Sequence, residues 1–325
     1  MNFQTIPKVE NHLHLEGAIP LETIWQLIQK YGGDKSISDI NQLQKRFVYK
    51  NFNQFIETWI WKNQFIREYE DFALITGFVV QDLIRQNVRY AEVFISPSLF
   101  KNRLQTQRIV ENISNEIKKH IKIQINLIVD LVRNYGAEKE MITLHEINEV
   151  KNFGIIGIGI GGSENEYPPE LFKGVYEKAR HFGFKTTAHA GEAAGPASIW
   201  GALLELKVDR IGHGTRAAED KELLKYLANN KIPVEVCPLS NLRTKVISTM
   251  KDHPVKTFID AGIPVSINTD DPKMFNNSLF EEYQSLQDTF NYSDQDIQSI
   301  IINSIDTMWL DKKGKEKLIS EMKKI

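Results

Sequence analysis

The chain has 325 residues, 42% hydrophobic and 25% charged, with a formal net charge of −2. That is the composition of a globular protein large enough to bury its own core without disulfide staples, and no low-complexity segment interrupts it. Nothing in the charge balance points to nucleic acid or an anionic membrane, no apolar run approaches the ~18 residues of a membrane span, and the lone Cys237 fits a reducing cytoplasm. The start, MNFQTIPKVE, lacks the apolar stretch of a signal peptide. The basic stretch GKEKLISEMKKI at the other end reads as a terminal helix with a solvated lysine face.

In chain order, short apolar runs alternate with longer helical patterns. The runs are KVENHLHL (8–15), VRYAEVFIS (88–96), IQINLIVDLV (123–132), IIGIGIGG (155–162), KTTAHAG (185–191), DRIGHG (209–214), IPVEVCPLS (232–240) and IPVSINTDD (263–271). Helical patterns such as PPELFKGVYEKARHFG and DKELLKYLANNK lie between them. Strands separated by helices imply parallel pairing through crossovers. Eight such units predict an α/β fold, a TIM (β/α)8 barrel, over 1–325 as a single domain. Such barrels take ~250 residues, which leaves roughly 75 over. The surplus sits in residues 18–87, a helical insertion after strand one that includes FNQFIETWIWKNQFIREYEDF. Those aromatics are first explained by helix packing. An insertion after strand one also lies at the C-terminal face, where barrels of this kind do their chemistry, so it is placed to serve as a lid or pocket wall.

The polar residues gather at the strand ends. In the first run, VENHLHLEG, His12 and His14 are two apart and share a face of a strand. Alone, the pair reads equally as a polar edge or as two satisfied core histidines. Strand five, however, ends in His189-Ala190-Gly191-Glu192, strand six in His213, and strand eight in Asp270-Asp271-Pro272. Three imidazoles and a carboxylate suit a borderline divalent cation, Zn²⁺ first. Two adjacent Asp residues cannot both face inward from a regular strand, and Pro272 ends the ladder, so the chain is expected to turn at the pair. Asp270 then takes the metal and Asp271 the substrate, or one of the two caps a helix. Glu192 falls beyond the strand, near the metal without binding it, where a carboxyl can shuttle protons. His213, between two glycines with little to cover it, can hydrogen-bond the reacting water or carry its proton. His120, His145, His181 and His253 scatter through helices and loops and receive no role.

HLHLEG, HAGE, RIGHG and NTDDP, in that order, resemble the adenosine deaminase family of the amidohydrolase superfamily; GIGIGGSE before PPELF, and CPLSN in strand seven, add to the match. The resemblance implies one Zn²⁺ per chain held by His12, His14, His189 and Asp270, with a water or hydroxide completing the site. It further implies that Glu192 protonates purine N1, that His213 orients the hydroxide or accepts its proton, and that Asp271 contacts the hydroxide or purine N7. The backbone N–H of Gly162 would meet purine N3, and His14 and Glu16 would lie against the substrate. The implied activity is hydrolytic deamination of an adenine nucleoside, a small-molecule partner in the cytoplasm; the sequence leaves the oligomeric state open.

Two departures bear on the substrate. Glu16 stands where typical adenosine deaminases carry Asp, and Glu resembles relatives acting on free adenine or on altered nucleosides. AGPASIWGAL, RIGHGTR and NTDDPKMF resemble the nucleoside-type sequences instead, which favours adenosine or a 5′-modified analogue such as aminodeoxyfutalosine (an intermediate of menaquinone synthesis) over adenine. Strand four reads GIGG where many relatives carry an acidic residue. A binuclear amidohydrolase acting on cyclic amides is the remaining alternative, with Glu164 its nearest candidate for a bridging ligand because strand four contains no Lys.

Overall fold

The computed structural model describes residues 3–322. Eight parallel strands, each paired with the next in sequence, form the expected barrel surrounded by helices. They are β1 (Lys8–His14), β2 (Val88–Ile95), β3 (Gln124–Val132), β4 (Ile155–Gly161), β5 (Lys185–Ala190), β6 (Arg210–His213), β7 (Val234–Val236) and β8 (Val265–Ile267). β3 and β4 are near-continuous apolar runs because both faces are covered, by the barrel interior within and by crossover helices without.

β7 and β8 are each three residues long, shorter than the runs that announce them. Pro238 starts a short helix (Pro238–Arg243), and the chain leaves β8 before Asp270. There a single bridge pairs Leu13 with Asp270, and it closes the barrel between β1 and β8. The His14 N–H donates to Asp270 O and the Asp270 N–H to His12 O, both at 2.9 Å.

Four helices separate β1 from β2: α1 (Leu21–Lys30), α2 (Ile40–Arg46), α3 (Phe52–Asn63) and α4 (Tyr69–Arg85). α1 buries Thr23, Ile24, Leu27 and Ile28, the i, i+3, i+4 stripe of an amphipathic helix. α4 begins with a reciprocal capping box between Glu68 and Asp71. The aromatics of this region divide. Trp61 and Phe65 join the main core, whereas Phe55 forms a separate cluster with Tyr49, Met274 and Phe275, against which Trp59 packs. Helix packing therefore explains only some of them; the second cluster ties the insertion to the turn that follows Asp271.

At the opposite end, Trp309 plugs the barrel. Its ring stacks 3.5 Å from the Arg210 guanidinium, and a Cβ on Gly157 would stand 2.5 Å from the indole. Arg210 is buried between Glu92 and Glu235, each 2.6 Å away. The basic C-terminal stretch is helical over Lys312–Met322, and its last three residues lie outside the described residues.

Candidate metal centre and active site

β1, β5 and the turn after β8 bring His12, His14, His189 and Asp270 together, with their ligand atoms all within 4.8 Å of one another. β1 pairs irregularly with β2 between Glu10 and Leu13, and both imidazoles still reach the same point. Nε2 of His189 lies 3.1 Å from Nε2 of His12 and 3.2 Å from Nε2 of His14. Asp270 Oδ1 lies 3.6 and 3.4 Å from the same two β1 nitrogens. A tetrahedron with ligand bonds of ~2.0–2.1 Å has edges of about 3.3–3.4 Å, so these separations fit a cation of zinc's size.

The surrounding groups fix which nitrogens carry lone pairs. His12 Nδ1 faces Glu235 Oε2 at 2.7 Å, and His189 Nδ1 faces the Ile160 carbonyl at 3.1 Å. Each Nδ1 is therefore the protonated nitrogen, and Nε2 is left bare. Burial, then the charge of neighbouring imidazoles, lowers the pKa of His12 and His14 well below 6.5; burial takes His189 to about 4. The bare nitrogens cannot hydrogen-bond to one another at 3.1 Å, whereas a cation between them satisfies both. Burial raises the pKa of Glu235, and the Arg210 guanidinium 2.6 Å away opposes that rise, favouring the carboxylate that orients His12.

Asp270 has φ +64°, which is how the chain turns at the acidic pair, and Ser240 Oγ donates to its Oδ2 at 2.6 Å. Asp271 occupies the N-cap position of the short helix Pro272–Phe275, yet its side chain makes no capping bond. Its Oδ1 is buried without a partner, and burial together with Asp270 raises its pKa well above the usual range. A methyl group on Gly17 would sit 1.6 Å from that oxygen. Gly17→Ala should therefore push Asp271 aside and lower kcat/KM by about 10²-fold, the scale of an ~1 Å misplacement in a reacting site. Steady-state kinetics at unchanged metal content checks this.

Glu192 and His213 join the cluster, Oε2 to Nε2 at 3.6 Å. Burial, then Asp270 and Glu164, raises the Glu192 carboxyl well above its ordinary value, so the acid form is favoured. His213 is not left uncovered by its flanking glycines. It is 1% exposed, has φ +59°, and packs its ring 4.9 Å from that of His12 and 5.1 Å from that of His189.

Glu16 accepts the Ser96 N–H through Oε1 at 3.0 Å, while its Oε2 is buried and unpartnered. Lys62 of α3 donates to the Glu16 carbonyl and to Asn63 Oδ1, and burial lowers its pKa to about 8. Trp59 sets its ring edge-on to His14, 5.9 Å between centroids. Gly162, at φ +103° and exposed at the end of β4, lies beside Asn134 outside the buried cluster. Glu164 accepts the N–H groups of Gly191, Ala193 and Ala194, bracing the loop that carries Glu192. Its oxygens are thereby engaged, and it belongs to none of the candidate metal clusters among the described residues.

Sequence reasoning passed over Glu235, Ser240, Asn241, Lys62 and His253. A charged residue inside the apolar run IPVEV was the available signal for Glu235. His253 lies in a loop, as the sequence suggested, but is only 3% exposed and is bonded to Asn241.

The profile of the Adenosine deaminase family matches residues 7–325. The chain belongs to that family. It is 32% identical over 323 residues to the aminodeoxyfutalosine deaminase of Streptomyces avermitilis, covering 98% of this chain and 90% of that protein. It is also 32% identical to the adenine deaminase of Crocosphaera subtropica, covering 97% and 98% of the two chains. An amidohydrolase from Burkholderia ambifaria with bound Zn superimposes with a TM-score of 0.91 at 25% identity, over 99% of this chain and 91% of that one. As a member of the adenosine deaminase family the protein is a hydrolytic deaminase acting on C–N bonds. No helix among the described residues is long and apolar enough to cross a membrane.

Proposed function

We propose that the protein is a zinc-dependent deaminase that converts the 6-amino group of an adenine nucleoside, adenosine or a 5′-modified analogue of the aminodeoxyfutalosine type, to the 6-oxo group with release of ammonia. The carrying observation is the convergence of the His12, His14 and His189 imidazoles and Asp270 beside Glu192, a buried carboxyl whose acid form burial favours. His12, His14, His189 and Asp270 hold the metal, one ion per chain. Bound zinc supplies Lewis acidity, which lowers the pKa of a water towards ~7. Glu192 gives its proton to purine N1 and so drains electrons from C6, where water adds and ammonia leaves. His213 positions that water, and the protonated Asp271 donates to N7. The Gly162 N–H is assigned to N3. The 18–87 insertion acts as a lid over the mouth of a single barrel domain, and the buried lone Cys237 fits a cytoplasmic setting.

Glu16 accommodates a nucleoside. Its Oε2 is a buried acceptor without a donor, which a ribose hydroxyl supplies. The second reading is free adenine, whose N9–H is also a donor and which is the substrate in the name of the Crocosphaera relative. A panel of adenine, adenosine, deoxyadenosine, methylthioadenosine and aminodeoxyfutalosine, read by ammonia release, separates the two. Nucleosides should exceed adenine in kcat/KM, and turnover confined to adenine would replace the first reading with the second.

A further inference from the structure

Beneath His213 runs a buried chain of hydrogen bonds from three separate elements. The Val255 N–H donates to His253 Nδ1 at 3.1 Å. His253 Nε2 lies 3.2 Å from Asn241 Oδ1, and Asn241 Nδ2 lies 3.2 Å from His213 Nδ1. The Thr215 hydroxyl also donates to Asn241 Oδ1, at 3.0 Å. Asn241 is fully buried on the short helix after β7, and His253 precedes the helix Val255–Asp260.

The direction of this chain follows from its first link. An imidazole nitrogen that accepts a backbone N–H carries no proton, so the neutral His253 ring has its proton on Nε2. Burial lowers the pKa of His253 to about 3, which keeps that ring neutral. Its Nε2–H must donate, so the oxygen of Asn241 faces it. Turning the amide over would set N–H against N–H in a buried place, at a cost of ~1–3 kcal/mol for each unsatisfied donor. The amide nitrogen of Asn241 therefore faces His213 Nδ1, which must be the bare nitrogen. The proton of the neutral His213 ring is then on Nε2, the nitrogen turned towards Glu192.

We propose that Asn241 and His253 are positioning residues that lock the tautomer of His213, so that its Nε2–H meets the reacting centre as a hydrogen-bond donor. Of the two roles open to His213, the lock selects orienting the water over accepting its proton, and leaves proton acceptance to the Glu192 carboxylate formed once its proton has gone to N1. The catalytic consequence rests on the proposed deamination; the tautomer itself does not.

The test is long-range 15N–1H NMR of histidine-labelled protein as purified, with His213 assigned by the signals lost in His213→Gln. The expected spectrum shows His213 and His253 protonated at Nε2, in contrast to His12 and His189, which are protonated at Nδ1. A wild-type His213 protonated at Nδ1 overturns the lock whatever the enzyme's substrate proves to be. Asn241→Asp, nearly the same shape, places an acceptor opposite Nδ1 and should move the proton there. It should lower kcat by about 10²- to 10³-fold, the scale of losing one hydrogen-bond donor at a reacting centre, with KM and metal content little changed. His253→Leu frees the amide to rotate and should give both tautomers with a smaller loss in kcat. If Asn241→Asp folds and keeps both the Nε2–H signal and the wild-type kcat, the proposal fails. If it does not fold, the wild-type spectrum alone decides.

Discussion

Glu192→Gln should keep its metal at the wild-type level and lose about 10²- to 10⁴-fold in kcat, the usual contribution of a positioned general acid. Burial makes this a clean experiment. The Glu192 carboxyl is pushed towards its neutral form, so replacing it with an amide of the same shape changes acidity and leaves the resting charge almost as it was. The variant should therefore fold, because the bracing of its loop by Glu164 uses backbone amides that the substitution leaves in place. Elemental analysis beside steady-state kinetics reads both halves of the expectation. A variant within a few-fold of wild type would remove Glu192 from the role of proton donor.

Stripping the metal with a chelator should abolish activity, and zinc should restore it at about one ion per chain. The cause lies in the ligand set itself. Nε2 of His189 stands 3.1 and 3.2 Å from those of His12 and His14, and burial, opposed by the Ser240 hydrogen bond, raises the Asp270 carboxyl to about 7. Lone pairs packed this closely repel unless a cation lies between them. The stripped protein should therefore also melt at a lower temperature, by an amount set by metal affinity and concentration. Two ions per chain at full activity would instead point to a binuclear centre, against the engagement of Glu164 by its loop.

Much of this was legible because strand periodicity and strand ends are local signals. HLH on one face and HAGE at the end of the next site-bearing strand could be read from two-residue spacing and from where apolar runs stop. β7 and β8 came out shorter than their runs because the chain turns into site-bearing structure while it is still apolar. Pro238 opens a helix, and Asp270 takes a left-handed backbone conformation. The groups that hold the ligands were harder to see. Ser240 and Asn241 sit in CPLSN, which read as the end of strand seven and is a short helix, Lys62 hides in an aromatic helix, and His253 precedes a helix with no spacing to tie it to His213. Their partners come from other elements, and single-sequence patterns report only neighbours along the chain.

The seam between β1 and β8 has a consequence for how the barrel holds together. Backbone pairing there is confined to residues around Leu13 and Asp270, and side chains supply the rest. Asn268 Oδ1 accepts the Asn11 N–H from 257 residues away, and Glu10 accepts the Thr269 N–H. Bringing the ends of so long a loop together costs about 5 kcal/mol in closure entropy. The proposed ligands His12, His14 and Asp270 straddle this same seam, so a cation between them would also be a clasp on the hoop. Ligand substitutions should thus weaken the barrel where its strands are least stitched, and the first place to open should be the one that carries the chemistry.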